Sequence, residues 1–320
     1  MPLIENSTYK PPRIFRNAHL NTIYPALFRK VEGVDYERER LATPDGDFID
    51  LDWSRAGCDK VLIALHGLEG GATRPYIRGI IRRFNRAGWD GVGMNFRSCS
   101  GEPNRKPYSY HMGATSDLEW VVRHVLASGG YRAVALAGFS LGGNVVLRYL
   151  GERPDETPDE IKAAVAFSVP CHISSANQEI EKWFNYPYLN RFMKSLNQKM
   201  EIKARQFPEV VRAEGKKPSD FQSFDNRYTA PLHGFKNAED YWTRCSSLPI
   251  LPAIRIPTLL VNAMDDTFLS AKCYPYALAE KQPNLYLETP QWGGHTGFVS
   301  NMPDGVYWSE ERALQFVESR

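Results

Sequence analysis

The segment Gly138-Phe-Ser-Leu-Gly-Gly143 lies between an apolar run at 131–137 and a helix-like run at 144–150. A Gly-x-Ser-x-Gly pattern in that setting predicts a sharp strand-to-helix turn that lifts the serine hydroxyl clear of a sheet. Glycine is needed two positions before and after Ser140, because side chains there would collide in the turn. The helix that follows adds free N–H groups beside the serine oxygen. The pattern therefore predicts Ser140 as a nucleophile, the alternative being a chance glycine–serine turn.

Strand-like and helix-like segments alternate around this turn from about residue 34 onward. The predicted strands are a hairpin at 36–41 and 48–53, and then 61–65, 89–95, 131–139, 161–169, 257–262 and 285–289. The predicted helices that flank them include 74–87, 116–128 and 307–318. Such alternation predicts an α/β fold with a mostly parallel central sheet, and uninterrupted apolar strands suit a sheet with helices on both faces.

The alternation stops between residues 171 and 252, which carry no strand-like run and many aromatic residues. We predict a helical cap or lid insertion at 171–252 within a single domain that spans 1–320. It would cover the carboxyl ends of the strands, where open α/β sheets bind ligands. Large apolar side chains expected to line an acyl pocket there are Trp183, Phe184, Tyr186, Tyr188, Phe192 and Met193. The alternative is that such side chains form the insertion's own core.

A serine nucleophile needs a base and an acid that orients the base. On α/β sheets these follow the serine in the order acid, then histidine. His295 follows the last predicted strand on a glycine-rich loop and is the predicted base. The acid should follow the strand at 257–262, where Asp265 and Asp266 are adjacent. The acid in such a loop is usually followed, two to four positions later, by two apolar residues and a small residue. Phe268, Leu269 and Ser270 have this spacing from Asp266 and not from Asp265. Asp266 is therefore favoured, with Asp265 as the alternative.

Two backbone N–H groups are expected to stabilise the oxyanion that forms when the serine attacks an ester. One belongs to Leu141, directly after the serine, and the other to Leu68 in the glycine-rich loop at 66–71. His66 opens that loop. It is predicted to brace the loop by hydrogen bonds, and its alternative role is that of a second base.

The composition excludes several other classes of protein. Hydrophobic residues make up 42% and charged residues 24%, as in ordinary soluble globular proteins. A net charge of +2 gives no electrostatic support for a nucleic-acid partner. Five scattered cysteines indicate reduced thiols, without a zinc site, and therefore the cytoplasm. No run approaches the ~20 apolar residues of a transmembrane segment, and the predicted chemistry needs no metal or organic cofactor.

Several further motifs carry a resemblance to a known family. They are found at 16–23, 66–71, 95–102, 225–227, 234–235, 240–241 and 293–298. Together with the serine turn they resemble the YheT-like branch of the α/β-hydrolase superfamily. Two departures are Ser98, where related chains commonly have glycine, and Thr267, where they commonly have proline. Asn95, Arg97 and Asp117 belong to the shared pattern, and we expect them to form a buried network that braces the active-site loops.

The resemblance implies a carboxylesterase-like serine hydrolase that cleaves acyl esters through an acyl-serine intermediate. Its substrate would be a small-molecule acyl ester or a lipid-like molecule. Alternatives are an acyltransferase that uses the same triad, a lipid or phospholipid acyl hydrolase, and a non-catalytic binding protein that keeps the fold.

Overall fold

A computed structural model describes residues 3–213 and 215–320, and their strands form one nine-stranded sheet. The strands are β1 Leu3–Ile4, β2 Glu37–Ala42, β3 Phe48–Ser54, β4 Lys60–Leu65, β5 Asp90–Asn95, β6 Ala133–Phe139, β7 Ile161–Phe167, β8 Thr258–Val261 and β9 Leu285–Glu288. The α-helices are α1 Ala18–Phe28, α2 Pro75–Asn85, α3 Thr115–Gly129, α4 Leu141–Glu152, α5 Ile173–Ile180, α6 Tyr186–Gln206, α7 Phe221–Phe224, α8 Ala230–Leu232, α9 Ala238–Cys245, α10 Tyr276–Ala279 and α11 Trp308–Glu318.

The order of strands across the sheet is β1-β9-β8-β7-β6-β4-β5-β3-β2. The pairs β2–β3 and β3–β5 are antiparallel, and every other neighbouring pair is parallel. The hairpin β2–β3 turns at Gly46, whose φ of +78° suits a residue without a side chain. The predicted strands and the mostly parallel α/β fold are therefore confirmed, with strand ends that differ by one or two residues.

Helices cover both faces of the sheet. In β4, Val61, Ile63 and Leu65 pack into a core with α3 and α4, whereas Leu62 and Ala64 pack into a second core with α2 and α11. Because successive side chains of a strand point to opposite faces, an unbroken apolar strand fills both cores. This arrangement fixes β6 in the middle of the molecule and holds its end, where the serine turn lies, on a rigid base.

The insertion between β7 and β8 is helical in its described residues and contains no strand there. It has an apolar core of its own, against which Leu68 and Met112 of the sheet region pack. The Met112 N–H donates to the hydroxyl of Tyr241 at 3.0 Å, and the Lys203 Nζ donates to the carbonyl of Asn104 at 2.6 Å. The insertion is thus held against the loops that follow the central strands. Within the described residues, no helix combines the length and the apolar character that crossing a bilayer requires.

Candidate active site

Ser140 lies in the turn between β6 and α4 in a strained backbone conformation, with φ 52° and ψ −118°. A side-chain carbon at Gly138 would lie 2.4 Å from the carbonyl oxygen of Gly142, and one at Gly142 would lie 2.5 Å from the carbonyl oxygen of Leu65. Both contacts are shorter than atoms tolerate, so the two glycines are what allows the turn to close. The predicted sharp turn is therefore present, with Ser140 at its apex.

The structure brings Ser140, His295 and Asp266 together although they are far apart in the sequence. The Ser140 hydroxyl lies 2.9 Å from His295 Nε2, and His295 Nδ1 lies 2.9 Å from Asp266 Oδ2. The carboxylate is buried and also accepts the Phe268 N–H at 3.0 Å, which fixes its orientation. A buried carboxylate on Nδ1 favours a proton there and leaves Nε2 free to accept from the serine.

Asp265 makes different contacts from its neighbour. One of its carboxylate oxygens accepts the Gly294 N–H at 2.9 Å, while the other is buried and has no hydrogen-bond partner among the described residues. Burial, helped by the nearby charge of Asp266, raises the pKa of Asp265 to about 6. Asp265 therefore supports the backbone of the histidine loop, and Asp266 is the residue that contacts His295.

Leu68 and Leu141 line the same cavity as Ser140. Leu141 is the first residue of α4, where N–H groups have no acceptor within the helix. Among residues 3–213 and 215–320, neither of these two amides donates to another protein group. Two free donors beside a serine hydroxyl form the arrangement that an oxyanion requires.

His66 braces the loop that carries Leu68. Its Nδ1 donates to the Gly67 carbonyl at 2.7 Å, and its Nε2 accepts the Phe96 N–H at 3.1 Å. Complete burial lowers the pKa of His66 to about 4, so the ring stays neutral at physiological pH. With both ring nitrogens engaged in the brace, His66 has no free nitrogen with which to act as a second base.

Glu69 connects the same loop to the insertion. Its carboxylate accepts from Lys199 Nζ and from the Tyr110 hydroxyl, each at 2.8 Å, and also from the Ser195 hydroxyl. Burial raises the pKa of Glu69, but the Lys199 charge and these hydrogen bonds outweigh burial and hold it below the ordinary value. Since Glu69 directly follows Leu68, helix α6 is tied to the residue next to a predicted oxyanion donor. No local pattern in the sequence indicates this pair, whose members are 130 positions apart.

The expected polar network is also present. Arg97 donates to both oxygens of Asp117, at 2.8 and 2.7 Å, and Asn95 accepts the Ala72 N–H at 2.9 Å. Ser98 adopts φ 64°, a conformation natural to glycine, which is the residue that the family resemblance leads us to expect there. Arg97 also donates to Asp45 and Asp47 in the hairpin turn, at 2.6 and 3.0 Å. These contacts connect the hairpin, the loop after β5 and helix α3, and none of them involves Ser140.

A second group of bracing residues was missed at the sequence level. The Thr22 hydroxyl accepts the His295 N–H at 2.9 Å, the Asn21 side chain accepts the Val299 N–H at 3.1 Å, and the Ser168 hydroxyl accepts the Thr296 N–H at 2.9 Å. The motif at 16–23 contained two of these residues, but nothing in it indicated which loop they hold. The N-terminal helix α1 is therefore part of the support of His295.

A largely apolar cavity of about 1070 Å³, part of it open to solvent, lies between Ser140 and the insertion. Its apolar walls include Ile173, Ile180, Phe192, Leu196, Met200, Phe221, Phe224, Tyr228, Trp242 and Leu269. Of the six side chains expected to form these walls, Phe192 does so, and Tyr188 lines an adjoining cleft that also contains Ser140. The expectation is wrong for Trp183 and Tyr186, which are 85% and 61% exposed, and for Met193, which is buried in the insertion core. The helices of the insertion turn those residues away from the cavity.

The cavity wall also contains polar groups. Asp225 accepts from Trp242 Nε1 at 2.7 Å and from the Thr229 hydroxyl at 2.6 Å, and burial raises its pKa to about 6. The rings of His111 and His233 lie 4.5 Å apart, and burial lowers the pKa of both. Within the described residues, no three His, Cys, Asp or Glu side chains come together in a way that would hold a metal ion.

The fold and this site define a class. The sequence profile of a family described as "alpha/beta hydrolase fold" matches residues 60–301. The Pyrococcus furiosus esterase Pf2001 has a similar fold, with a TM-score of 0.61 over 99% of both chains at 18% identity. The chain belongs to the α/β-hydrolase family.

Its relatives include YheT, which confirms the branch that the motifs resemble. The Escherichia coli K12 protein named "Putative esterase YheT" is 35% identical over 315 residues, covering 96% of this chain and 92% of that protein. The human protein named "Phospholipase ABHD3" is 30% identical over 298 residues, covering 89% of this chain and 72% of that protein. Proteins similar to this chain are thus named for the hydrolysis of esters and phospholipids.

Proposed function

We propose that this protein is a serine hydrolase that cleaves carboxylic acyl esters, with Ser140 as nucleophile, His295 as base and Asp266 as acid. The observation that carries the proposal is the unbroken hydrogen-bond chain from the Ser140 hydroxyl through His295 to Asp266. The names of the relatives support an ester as the substrate. Serine at the apex of the turn fits this reaction, since a serine hydroxyl activated by a neighbouring base can carry an acyl group as a covalent intermediate.

The geometry supports the following steps. His295 Nε2 takes the hydroxyl proton of Ser140 as the oxygen attacks the ester carbonyl, and Asp266 stabilises the imidazolium. The N–H groups of Leu68 and Leu141 stabilise the negative oxygen of the tetrahedral intermediate. His295 then protonates the departing alcohol, which leaves an acyl group on Ser140. In the second half, His295 takes a proton from water, the hydroxide attacks the acyl carbonyl, and the acid departs as Ser140 regains its proton.

We further propose that residues 171–252 act as a cap within a single domain spanning 1–320. The cavity between the cap and Ser140 has walls of aliphatic and aromatic side chains, which favour an acyl chain by roughly 0.8 kcal/mol for each buried methylene. Small-molecule acyl esters and lipid-like esters are therefore the proposed substrates. The scattered, free cysteines favour the reducing cytoplasm as the compartment.

Thr267 gives the cap a further connection to the site. Its hydroxyl donates to the Asn185 side chain at 2.9 Å, and its carbonyl accepts from the same side chain at 2.7 Å. Asn185 directly precedes α6, so the acid loop and the cap share a pair of hydrogen bonds. A proline at position 267 would have no hydroxyl with which to make the first of them.

The test is an unbiased panel of acyl esters that includes p-nitrophenyl esters, monoacylglycerols and phospholipids. The expected result is hydrolysis of at least one class by the native chain and none by Ser140→Ala. The product is analysed with and without an added alcohol, so that acyl transfer is distinguished from hydrolysis. Equal activity of the native chain and Ser140→Ala would overturn the proposal.

A further inference from the structure

Helix α1 faces the opposite way from an ordinary amphipathic helix. Its large apolar side chains recur at the helical spacings of three and four residues, yet all of them are at least 38% exposed: Leu20, Ile23, Tyr24, Leu27 and Phe28. The side of the helix that is buried carries Asn21 and Pro25. An apolar stripe of this spacing normally faces the core of a globular protein. Here it faces solvent, and such a surface usually marks an interaction site.

The inverted orientation is fixed by polar contacts. The Asn21 amide donates to the Tyr9 hydroxyl at 3.0 Å and to the Phe15 carbonyl at 2.8 Å. A side-chain carbon at Gly297 would lie 2.1 Å from the Asn21 carbonyl oxygen, so the histidine loop lies directly against the helix. The helix therefore cannot rotate its apolar stripe inward without breaking the support of His295.

The exposed apolar residues continue from α1 onto the insertion. Trp183 and Tyr186 are exposed there, and Trp183 contacts Phe184, whose ring in turn lies 6.3 Å from that of His19 in α1. We call this surface the docking face; it consists of Ile14, Leu20, Ile23, Tyr24, Leu27, Phe28, Trp183 and Tyr186. It carries two of the side-chain types, tryptophan and tyrosine, that are enriched where proteins meet the surface of a membrane.

The docking face borders an opening of the active site. Ile23 and Leu27 line a cleft that also contains Ser140 and His295, and Arg191 of α6 lines the same cleft. A molecule that leaves an apolar phase at the docking face would therefore enter a cleft that leads to the nucleophile.

Basic residues predominate around this face, although Glu5, Glu32, Glu181 and Glu201 stand just beyond the ends of the two segments that form it. Residues 6–31 and 182–200 together carry nine Lys or Arg and no Asp or Glu. Arg29, Lys182 and Lys199 are paired with carboxylates. The other six form no ion pair within the described part of the chain: Lys10, Arg13, Arg16, Lys30, Arg191 and Lys194. Each basic side chain near an anionic membrane adds about one kilocalorie per mole of attraction, or roughly a fivefold gain in binding.

We propose that the docking face binds the surface of a lipid bilayer that contains anionic lipids, and so presents the active-site cleft to acyl lipids in that surface. The link to lipid hydrolysis rests on the proposed function, whereas the binding itself does not. A second copy of the chain is a poorer occupant, because a two-fold contact would bring the unpaired cations of one copy against those of the other. Aromatic and aliphatic side chains beside unpaired cations match a bilayer with anionic headgroups.

Binding is measured with the Ser140→Ala chain, which separates it from turnover. The protein is floated with vesicles of phosphatidylcholine alone, and with vesicles in which one lipid in three is phosphatidylglycerol. The expected result is binding to the anionic vesicles that weakens as salt is raised. No binding of the full chain to the anionic vesicles would overturn the proposal.

Three variants test whether the docking face is the surface that binds. Phe28→Ser and Trp183→Ser are each expected to lower the partition coefficient at least fivefold, and Arg13→Glu with Lys30→Glu at least twentyfold. Ile202→Ser is the matched control: Ile202 is also exposed on α6 but lies about 24 Å further along that helix than Tyr186. Equal loss in the control, or a native dimer that Phe28→Ser dissociates without any vesicle binding, would overturn the assignment.

The same substitutions in the active chain separate this proposal from the proposed function. Phe28→Ser and Trp183→Ser should leave the hydrolysis of a water-soluble ester unchanged and lower the hydrolysis of vesicle lipids. If the native chain binds vesicles but hydrolyses no ester, the proposed function fails and the docking face stands. If it hydrolyses soluble and vesicle esters equally well in all variants, the docking face fails and the proposed function stands.

Discussion

Asp265 and Asp266 offer a direct comparison of two adjacent carboxylates with different contacts. Replacing Asp266 by asparagine keeps its shape but removes the negative charge 2.9 Å from His295 Nδ1. At an effective dielectric constant near 20, a charge pair at that separation is worth about 6 kcal/mol. The imidazolium that forms during attack would lose this stabilisation, which corresponds to a fall in kcat on the order of 10⁴.

The amide also changes the proton position on the histidine. An asparagine NH₂ can donate to Nδ1, which drives the ring proton to Nε2, where it faces Ser140 and blocks proton acceptance. The loss should therefore appear in kcat, with little change in KM or in the melting temperature.

Asp265→Asn is the matched control. The asparagine oxygen can still accept the Gly294 N–H, and its NH₂ replaces an oxygen that has no partner among the described residues. We expect kcat to stay within about threefold of the native value. Steady-state kinetics on p-nitrophenyl butyrate, with circular dichroism to check folding, compares the two. If Asp265→Asn proves the more damaging, or if both are mild, the reasoning on this loop is refuted.

Three other perturbations have defined outcomes. Because the pKa of Asp265 is raised to about 6 in the folded chain, the stability that this carboxyl contributes should fall as pH rises from about 4 to above 6. Asp265→Asn should therefore have a higher melting temperature than the native chain at pH 8 and the same one at pH 4. An equal difference in melting temperature at both pH values would contradict this. Glu69→Gln leaves the Lys199 charge without its carboxylate and should lower the unfolding free energy by about 2 kcal/mol in denaturant titrations. This is less than the usual cost of breaking a fully buried ion pair, because the Lys199 side chain is 24% exposed. Adding Lys199→Met should recover most of the lost unfolding free energy, and no recovery would argue against the pair. Across a p-nitrophenyl ester series, kcat/KM should rise roughly fourfold per methylene and then fall once the cavity is full, whereas a flat profile would place specificity elsewhere.

The sequence predicted those features that short segments determine. The serine turn depends on six consecutive residues, and Gly138 and Gly142 have no room for any other side chain. The predicted strands were found because an apolar run bounded by polar turns has few other stable structures. The preference for Asp266 rested on the residues that follow it, and the structure brings this carboxylate to the His295 ring.

The sequence did not show which side of each helix is buried and which is exposed. Trp183 and Tyr186 were expected inside a pocket because large apolar side chains usually are, but the packing of the insertion leaves them exposed. The same holds for α1, whose apolar stripe indicates burial and whose Asn21 nevertheless faces inward. The contact of Thr22 with His295 joins residues 273 positions apart, and no local pattern reports such a separation.

The central claim is that Ser140 is an activated nucleophile, and covalent labelling measures this without knowledge of the substrate. A fluorophosphonate probe reacts with serines whose hydroxyl proton a neighbouring base removes. We predict one label per chain, located at Ser140 by peptide mass spectrometry. Labelling should be absent in Ser140→Ala and strongly slowed in His295→Ala. Labelling at another residue, or labelling of Ser140→Ala at the native rate, would contradict it.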